Sequence, residues 1–272
     1  MNNLYFIGYE AAQQTSEQLT EKSPLANNEI VNNKIVQLAK QFDMTIVDSG
    51  FKPVANQIYF AYSHPWLSLY LELNGRVTRL QFDLAEGEVG FRAARVSKSN
   101  EVVAKAIGCK PHYRPKVFDA TAGMGRDSLI MAMLGCEVIM HERSLPIYLL
   151  LENALNRLQQ KWPDISACMH LENYDSLQVN EHWIRERKVD VVYLDPMFPE
   201  RKKSALVKQE MRIFKVLAGE DADADQLMIN TLKSGVKRVV VKRPKGAEHL
   251  ASKKPNHEII AKKFRYDVYL NH

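Results

Sequence analysis

Hydrophobic spacing near the N-terminus is helical. In "EIVNNKIVQLAKQF" the residues Ile30, Val31, Ile35, Leu38 and Phe42 recur every three or four positions, which predicts an amphipathic helix, and "MTIVD" behind it reads as a strand. The period then drops to two. Leu67, Leu69, Leu71 and Leu73 alternate with other residues, Asn74-Gly75 offers the two positive-φ positions of a tight hairpin, and Leu80 and Phe82 continue on the return strand. Together these elements predict a small α+β domain over residues 1–90 with an antiparallel sheet. "SNEVVAKAIG" follows as a short helix with Asn100 as N-cap and Gly108 past its end.

From Val117 onward strands and helices alternate. "VFDAT", "EVIMHE", "ACMHLEN", "VDVVYLD", "KRVVVKRP" and "YDVYL" are strand-length apolar runs. Between them lie the helices "RDSLIMAML", "PIYLLLENALNRLQQ" and "ALVKQEMRIFKVLAG", the last with Ser204 as N-cap, and the acidic run "EDADAD" reads as a solvated helix start. Nearly continuous Val, Ile and Leu strands alternating with helices predict a parallel sheet covered on both faces, in a domain spanning 91–272.

Composition supports this division and narrows the class. With 272 residues, 46% of them apolar, the chain can bury a sizeable core and a smaller companion. No run approaches the roughly 18 apolar residues of a membrane span, and the N-terminus has no basic-then-apolar leader, so a cytoplasmic protein without membrane contact is expected. Cys109, Cys136 and Cys168 lack the close spacing of zinc or disulfide frameworks and read as reduced core residues; no metal is expected. The net charge of +5 is blocked rather than spread: −4 over 1–90, +5 over 91–125, −5 over 126–200 and +9 over 201–272. Such blocks suit a polyanion-binding surface or a solvated face.

The chemistry collects at strand ends. "DATAGMGRDS" leaves the first strand of the larger domain and opens a helix, so Gly123 and Gly125 let backbone approach a ligand beside free N–H groups. It is no dinucleotide fingerprint, because Ser128 replaces the third glycine, and an NAD oxidoreductase is disfavoured. In an open α/β sheet the ligand crevice lies beyond the carboxyl ends of the strands, where Asp119, Glu142, Asp175 and Asp195 would gather. A cationic ligand with a ribose and an adenine suits that rim, and S-adenosylmethionine is such a ligand. Glu142 would take the ribose, Asp175 with Ser176 would face the adenine amine, and the turn from Gly123 to Asp127 would cradle the amino-acid moiety.

The motifs "DATAGMGRD", Glu142-Arg143, "VVYLDPMFP", "KSALVKQEMRIF" and "KRVVVKRP" together resemble the RsmJ family of ribosomal RNA small-subunit methyltransferases over residues 89–270. The resemblance implies a Rossmann-like class I S-adenosylmethionine-dependent methyltransferase sheet with a small N-terminal α+β domain. It also implies methylation of the N2 amine of a guanine in 16S ribosomal RNA, as free rRNA or in the small ribosomal subunit. Arg126, Asp127, Glu142, Arg143, Asp175, Ser176 and Asp195 would contact the cofactor. One departure is "FRAARVSKSNEVVAKAIG", which stands where the family has a glycine-rich, Arg-containing loop; Arg92, Arg95 and Lys98 keep its charge.

The residues of "DPMFP" carry a chemical reading of their own. A guanine N2 amine is a poor nucleophile, because its lone pair is delocalised into the ring. Two acceptors on its N–H bonds would localise that pair: the Asp195 carboxylate and the Pro196 carbonyl, with proline fixing φ and offering no competing donor. Phe198 would stack on the extruded base. Arg201, Lys202, Lys203 and Lys208, with Lys242 and Arg243 from a neighbouring strand end, would meet phosphate. The same geometry would serve another amine, such as adenine N6 or a protein glutamine, and a non-catalytic RNA-binding protein is the alternative of a different class.

Overall fold

The structure is a computed structural model that describes residues 4–9, 24–47, 51–52, 54, 57–86, 101–197, 209–219 and 222–271. The chain divides into two compact units, Met1–Phe82 with Ala205–Val216, and Asp83–Ser204 with Leu217–His272.

The first unit holds β1 (Leu4–Tyr9), α1 (Pro24–Phe42), β2 (Thr45–Ile46), β3 (Gln57–Ser63), β4 (Trp66–Leu73) and β5 (Arg76–Leu80). Its sheet has the order β2-β1-β3-β4-β5. The alternating leucines and Asn74-Gly75 do form the β4–β5 hairpin, with both turn residues at positive φ (54° and 76°). Phe60 pairs with Leu69 and Leu69 with Leu80, and all three are almost fully buried. Burial of side chains of this size contributes about 1.5–3 kcal/mol each. The sheet is not purely antiparallel as expected: β1 runs parallel to both β2 and β3. A long connection containing α1 separates β1 from β2, and such crossovers permit parallel pairing.

The second unit comprises α2 (Val102–Ile107), β6 (Val117–Asp119), α3 (Arg126–Met133), β7 (Val138–His141), α4 (Leu145–Lys161), α5 (Pro163–Ser166), β8 (Met169–Glu172), α6 (Glu181–Glu186) and β9 (Val191–Leu194). After α7 (Gln209–Ala218), which straddles the division, come α8 (Ala224–Lys233), β10 (Arg238–Pro244), β11 (His257–Ile260) and β12 (Phe264–Leu270). The seven strands lie in the order β11-β12-β10-β9-β6-β7-β8. Strands β6 to β10 are parallel, and the sheet departs from the expected pattern only at β12, which runs antiparallel to β10 and β11. From β6 the chain moves outward one way through β7 and β8, then returns to β9 on the other side of β6. The crevice between β6 and β9 is therefore the topological switch point where such folds place ligands.

The core runs along the strands, with Phe118, Val192, Leu194, Val239 and Val241 at 2% exposure or less. Glu101, without a side-chain cap bond, occupies the N-cap position of α2, while Gly108 closes that helix in the left-handed region as expected. Asn100 and Ser204, the expected caps, lie outside the described residues. Where β10 and β12 pair, the buried Arg265 grips Asp267 through two contacts (2.6 and 3.1 Å) and donates to the carbonyls of Pro244, Lys245 and Ala247 at 3.2, 2.7 and 2.9 Å. One guanidinium thus fastens the loop that leaves β10. Its planar fork of donors suits this task better than an ammonium would.

Candidate active site

The turn after β6 is built from its own side chains. Asp119 accepts the Thr121 N–H at 3.1 Å on one oxygen and the Ser128 hydroxyl at 2.5 Å on the other. Burial pushes the Asp119 carboxyl up to about 7, even though both hydrogen bonds favour its charged form. Gly123 and Gly125 both have positive φ (54° and 70°), and a Cβ on Gly125 would lie 2.6 Å from Cδ1 of Leu151 on α4. A glycine at 125 thus lets the first helix of the sheet start, with Arg126 and Asp127 in its opening turn, without backbone strain or displacement of Leu151.

Beyond β7, Glu142 is 8% exposed and its carboxylate accepts the Gly123 N–H at 3.0 Å and the Ser144 N–H at 2.8 Å. Beyond β8, Asp175 caps a short 3₁₀ turn by accepting the Leu177 N–H at 3.0 Å. Beyond β9, the Asp195 N–H donates to Thr121 Oγ1 at 2.7 Å, which ties the β9 exit to the β6 turn. Asp119, Gly123, Gly125, Asp127, Glu142, Asp175 and Asp195 are thus gathered on the carboxyl rim, as the strand ends suggest.

A charged network crosses that rim. Lys242 Nζ, from β10, lies 2.7 Å from Asp127 Oδ2 and 2.8 Å from Asp195 Oδ2. Tyr193 is fully buried in β9 and donates its hydroxyl to the same Asp127 oxygen at 2.6 Å. Burial works against the Lys242 charge, and Asp195 and Asp127 outweigh it, holding its pKa above the ordinary lysine value. Burial raises the phenols of Tyr193 and Tyr266, with Asp127 the next cause for each, so both stay protonated.

Several expected residues stand elsewhere than the sequence implies. Lys242 points inward at two carboxylates, and Arg243 is 7% exposed with Nη2 donating to the Glu248 carbonyl, so neither is presented to phosphate. The strand that carries them is buried, and a cation there needs partners within the protein. Ser176 donates its hydroxyl to the Ala120 carbonyl at 2.8 Å, joining two rim loops. Arg143 is ion-paired with Asp223 at 2.6 Å, and Arg126 is exposed. Pro196 is buried directly after Asp195. Phe198, Arg201, Lys202, Lys203, Lys208 and the 91–100 loop lie outside the described residues.

Thr121, Tyr193 and Tyr266 have parts in the site that sequence reasoning missed. For Tyr193 a signal existed: a tyrosine in an otherwise aliphatic buried strand, two residues before the acid, needs a partner for its hydroxyl.

A family model described as "Putative SAM-dependent methyltransferase" matches residues 34–271. A protein of Thioalkalivibrio sulfidiphilus named ribosomal RNA small subunit methyltransferase J is 44% identical over 207 residues, covering 75% of this chain and 81% of that one. Its namesake in Alteromonas mediterranea is 40% identical over 233 residues, covering 86% and 90%. The chain belongs to the ribosomal RNA small subunit methyltransferase J family. Among solved structures, the SAM-dependent methyltransferase NGO1261 of Neisseria gonorrhoeae is 27% identical with a TM-score of 0.67, over 98% of this chain and 95% of that one. This member of the family therefore has the α/β methyltransferase fold and depends on S-adenosylmethionine.

The rim of this family member fits that cofactor. Among the described residues Glu142, Asp175, Asp195 and Asp127 outnumber Lys242, the cation in contact with Asp127 and Asp195, which suits a sulfonium. Glu142 is fixed by two backbone donors, and since each carboxylate oxygen accepts more than one hydrogen bond, this anchoring is compatible with a ribose diol. Among the described residues no helix is long and apolar enough to cross a membrane.

Proposed function

We propose that this protein transfers the methyl group of S-adenosylmethionine to the exocyclic N2 amine of guanine 1516 of 16S ribosomal RNA. The observation that carries this reading is Asp195 at the exit of β9, its backbone N–H on Thr121 of the cofactor-side turn, its carboxylate on Lys242, and a proline next in the chain. Bound S-adenosylmethionine supplies an electrophilic methyl carbon on a sulfonium.

Glu142 holds the ribose, and the Gly123–Asp127 turn receives the amino-acid end. Asp195 and the Pro196 carbonyl accept the two N–H bonds of the amine, which draws its lone pair out of conjugation with the ring. Asp195 takes the proton that the amine sheds as the N–C bond forms and the S–C bonding pair passes to sulfur. Alignment of the amine with the methyl carbon and exclusion of water account for the rest of the rate. Phe198 stacks on the base, and Arg201, Lys202, Lys203 and Lys208 meet phosphate; an rRNA loop with a splayed base suits this arrangement better than a duplex.

The test is mass mapping of 16S rRNA from cells lacking the gene, complemented with wild type or with Asp195→Ala. Wild type is expected to restore one methyl group on the guanine and Asp195→Ala to leave it missing. Restoration by the variant, or a methyl group on another base, would sink the reading.

A further inference from the structure

Lys242 is a lysine on a largely buried strand. Three of its neighbours on β10, Val239, Val240 and Val241, are fully buried, and Lys242 itself retains 23% of its side-chain exposure. Its ammonium touches two carboxylates that arrive from different elements, Asp127 from the first turn of α3 and Asp195 from the exit of β9. Phe264 places its ring 5.3 Å from the same nitrogen, and Tyr193 donates to the same Asp127 oxygen that Lys242 contacts. An ion pair on an open surface has none of this support.

We propose that Lys242 is a positioning residue for methyl transfer: its ammonium fixes the orientation of the Asp195 carboxylate toward the acceptor amine and locks it to Asp127 on the cofactor-side turn. This rests on the reading above that Asp195 receives the amine. One oxygen of Asp195 is tied to Lys242, so the carboxylate cannot rotate freely about its last bond, and the amine meets a preset acceptor. The same cation keeps two neighbouring carboxylates ionised together, the state in which Asp195 can accept an N–H bond and then a proton. Among the described residues, titratable groups facing this cation and its two carboxylates include Asp119 from β6, Tyr193 from β9 and Tyr266 from β12. Both phenols remain neutral at working pH, and among the described residues Lys242 is a cation in direct contact with both Asp127 and Asp195.

The test compares wild type, Lys242→Met and Lys242→Arg as full-length proteins. Without the cation, Asp127 and Asp195 hold a proton more tightly, so the acid limb of the single-turnover rate on small subunits lacking the methyl group should move up by about one pH unit or more. At neutral pH the rate should fall on the order of 10- to 100-fold, as for a misplaced reacting group, while the dissociation constant for S-adenosylmethionine changes far less. Lys242→Arg should return the limb toward wild type. A readout independent of activity is the Tm of the cofactor-free protein: the deficit of Lys242→Met should be largest above pH 7 and shrink toward pH 5, as the two carboxylates that lost this cation protonate. An acid limb that stays in place, or a Tm deficit equal at every pH, overturns the proposal and reduces Lys242 to a packing residue. Failure of wild type to methylate the guanine would instead overturn the functional reading, and the Tm comparison would still judge the network.

Discussion

Glu142 and Gly123 stand 19 positions apart and are joined by one hydrogen bond, the glycine N–H donating to Glu142 Oε2 at 3.0 Å. The residue expected to grip the ribose therefore also sets the glycine turn. Glu142→Ala should weaken S-adenosylmethionine binding by about 10- to 100-fold, the scale of losing hydrogen bonds to a charged acceptor, as measured by titration calorimetry. Glu142→Gln should be nearly as damaging, because both carboxylate oxygens accept backbone N–H groups and the amide nitrogen would oppose one of them.

Gly125 is held at φ 70° with Leu151 immediately behind it. Gly125→Ala should lower stability by about 1–3 kcal/mol, through a strained left-handed alanine and a displaced leucine. Chemical denaturation checks this. Adding Leu151→Ala should remove the steric part of the Gly125→Ala penalty and leave the backbone part, so the two substitutions should be less than additive.

The Asp119 carboxyl, raised from an ordinary value of 3.8 to about 7 by burial, makes a signed prediction. Its folded-state value exceeds its unfolded one, so its contribution to stability is fully present below pH 4, is lost as the pH rises toward 7, and is constant above that. Asp119→Asn keeps an acceptor for the Thr121 N–H and a donor for Ser128. Its Tm relative to wild type should therefore rise between pH 4 and pH 7 and then level off.

His141 works in the opposite sense. Its ring lies against Phe118, Tyr174 and Trp183 at 4.6, 5.2 and 5.1 Å, with Nε2 3.3 Å from Glu172. Burial lowers its pKa to about 4 against the pull of Glu172. A histidine kept neutral in the fold withdraws stability as the pH falls from about 6.5 through that value. Thermal melts of His141→Gln should show a deficit at pH 7 that narrows toward pH 4.

Which parts of this protein could be read from its sequence follows from how local the signals are. The Asn74-Gly75 hairpin and the alternating strands and helices after Val117 are written in neighbouring residues. The parallel pairing of β1 with β3 depends on segments some fifty residues apart and leaves no local mark. Asp119, Glu142, Asp175 and Asp195 could be placed on one rim because a parallel sheet puts all strand exits on the same side. Their partners could not. Lys242 has the sequence signature of a phosphate contact, a lysine beside an arginine at a strand end, and only the sheet order, which sets β10 next to β9, turns it toward Asp195. Thr121 likewise looks like a small turn residue until β9 supplies the N–H that it accepts.

Arg265 grips the loop after β10 by the carbonyls of Pro244, Lys245 and Ala247. Carbonyls are the same whatever side chain a residue bears. The path of that loop is thus insulated from the identities of residues 245–247, which can drift in charge and size while the strand carrying Lys242 keeps its register against its neighbours.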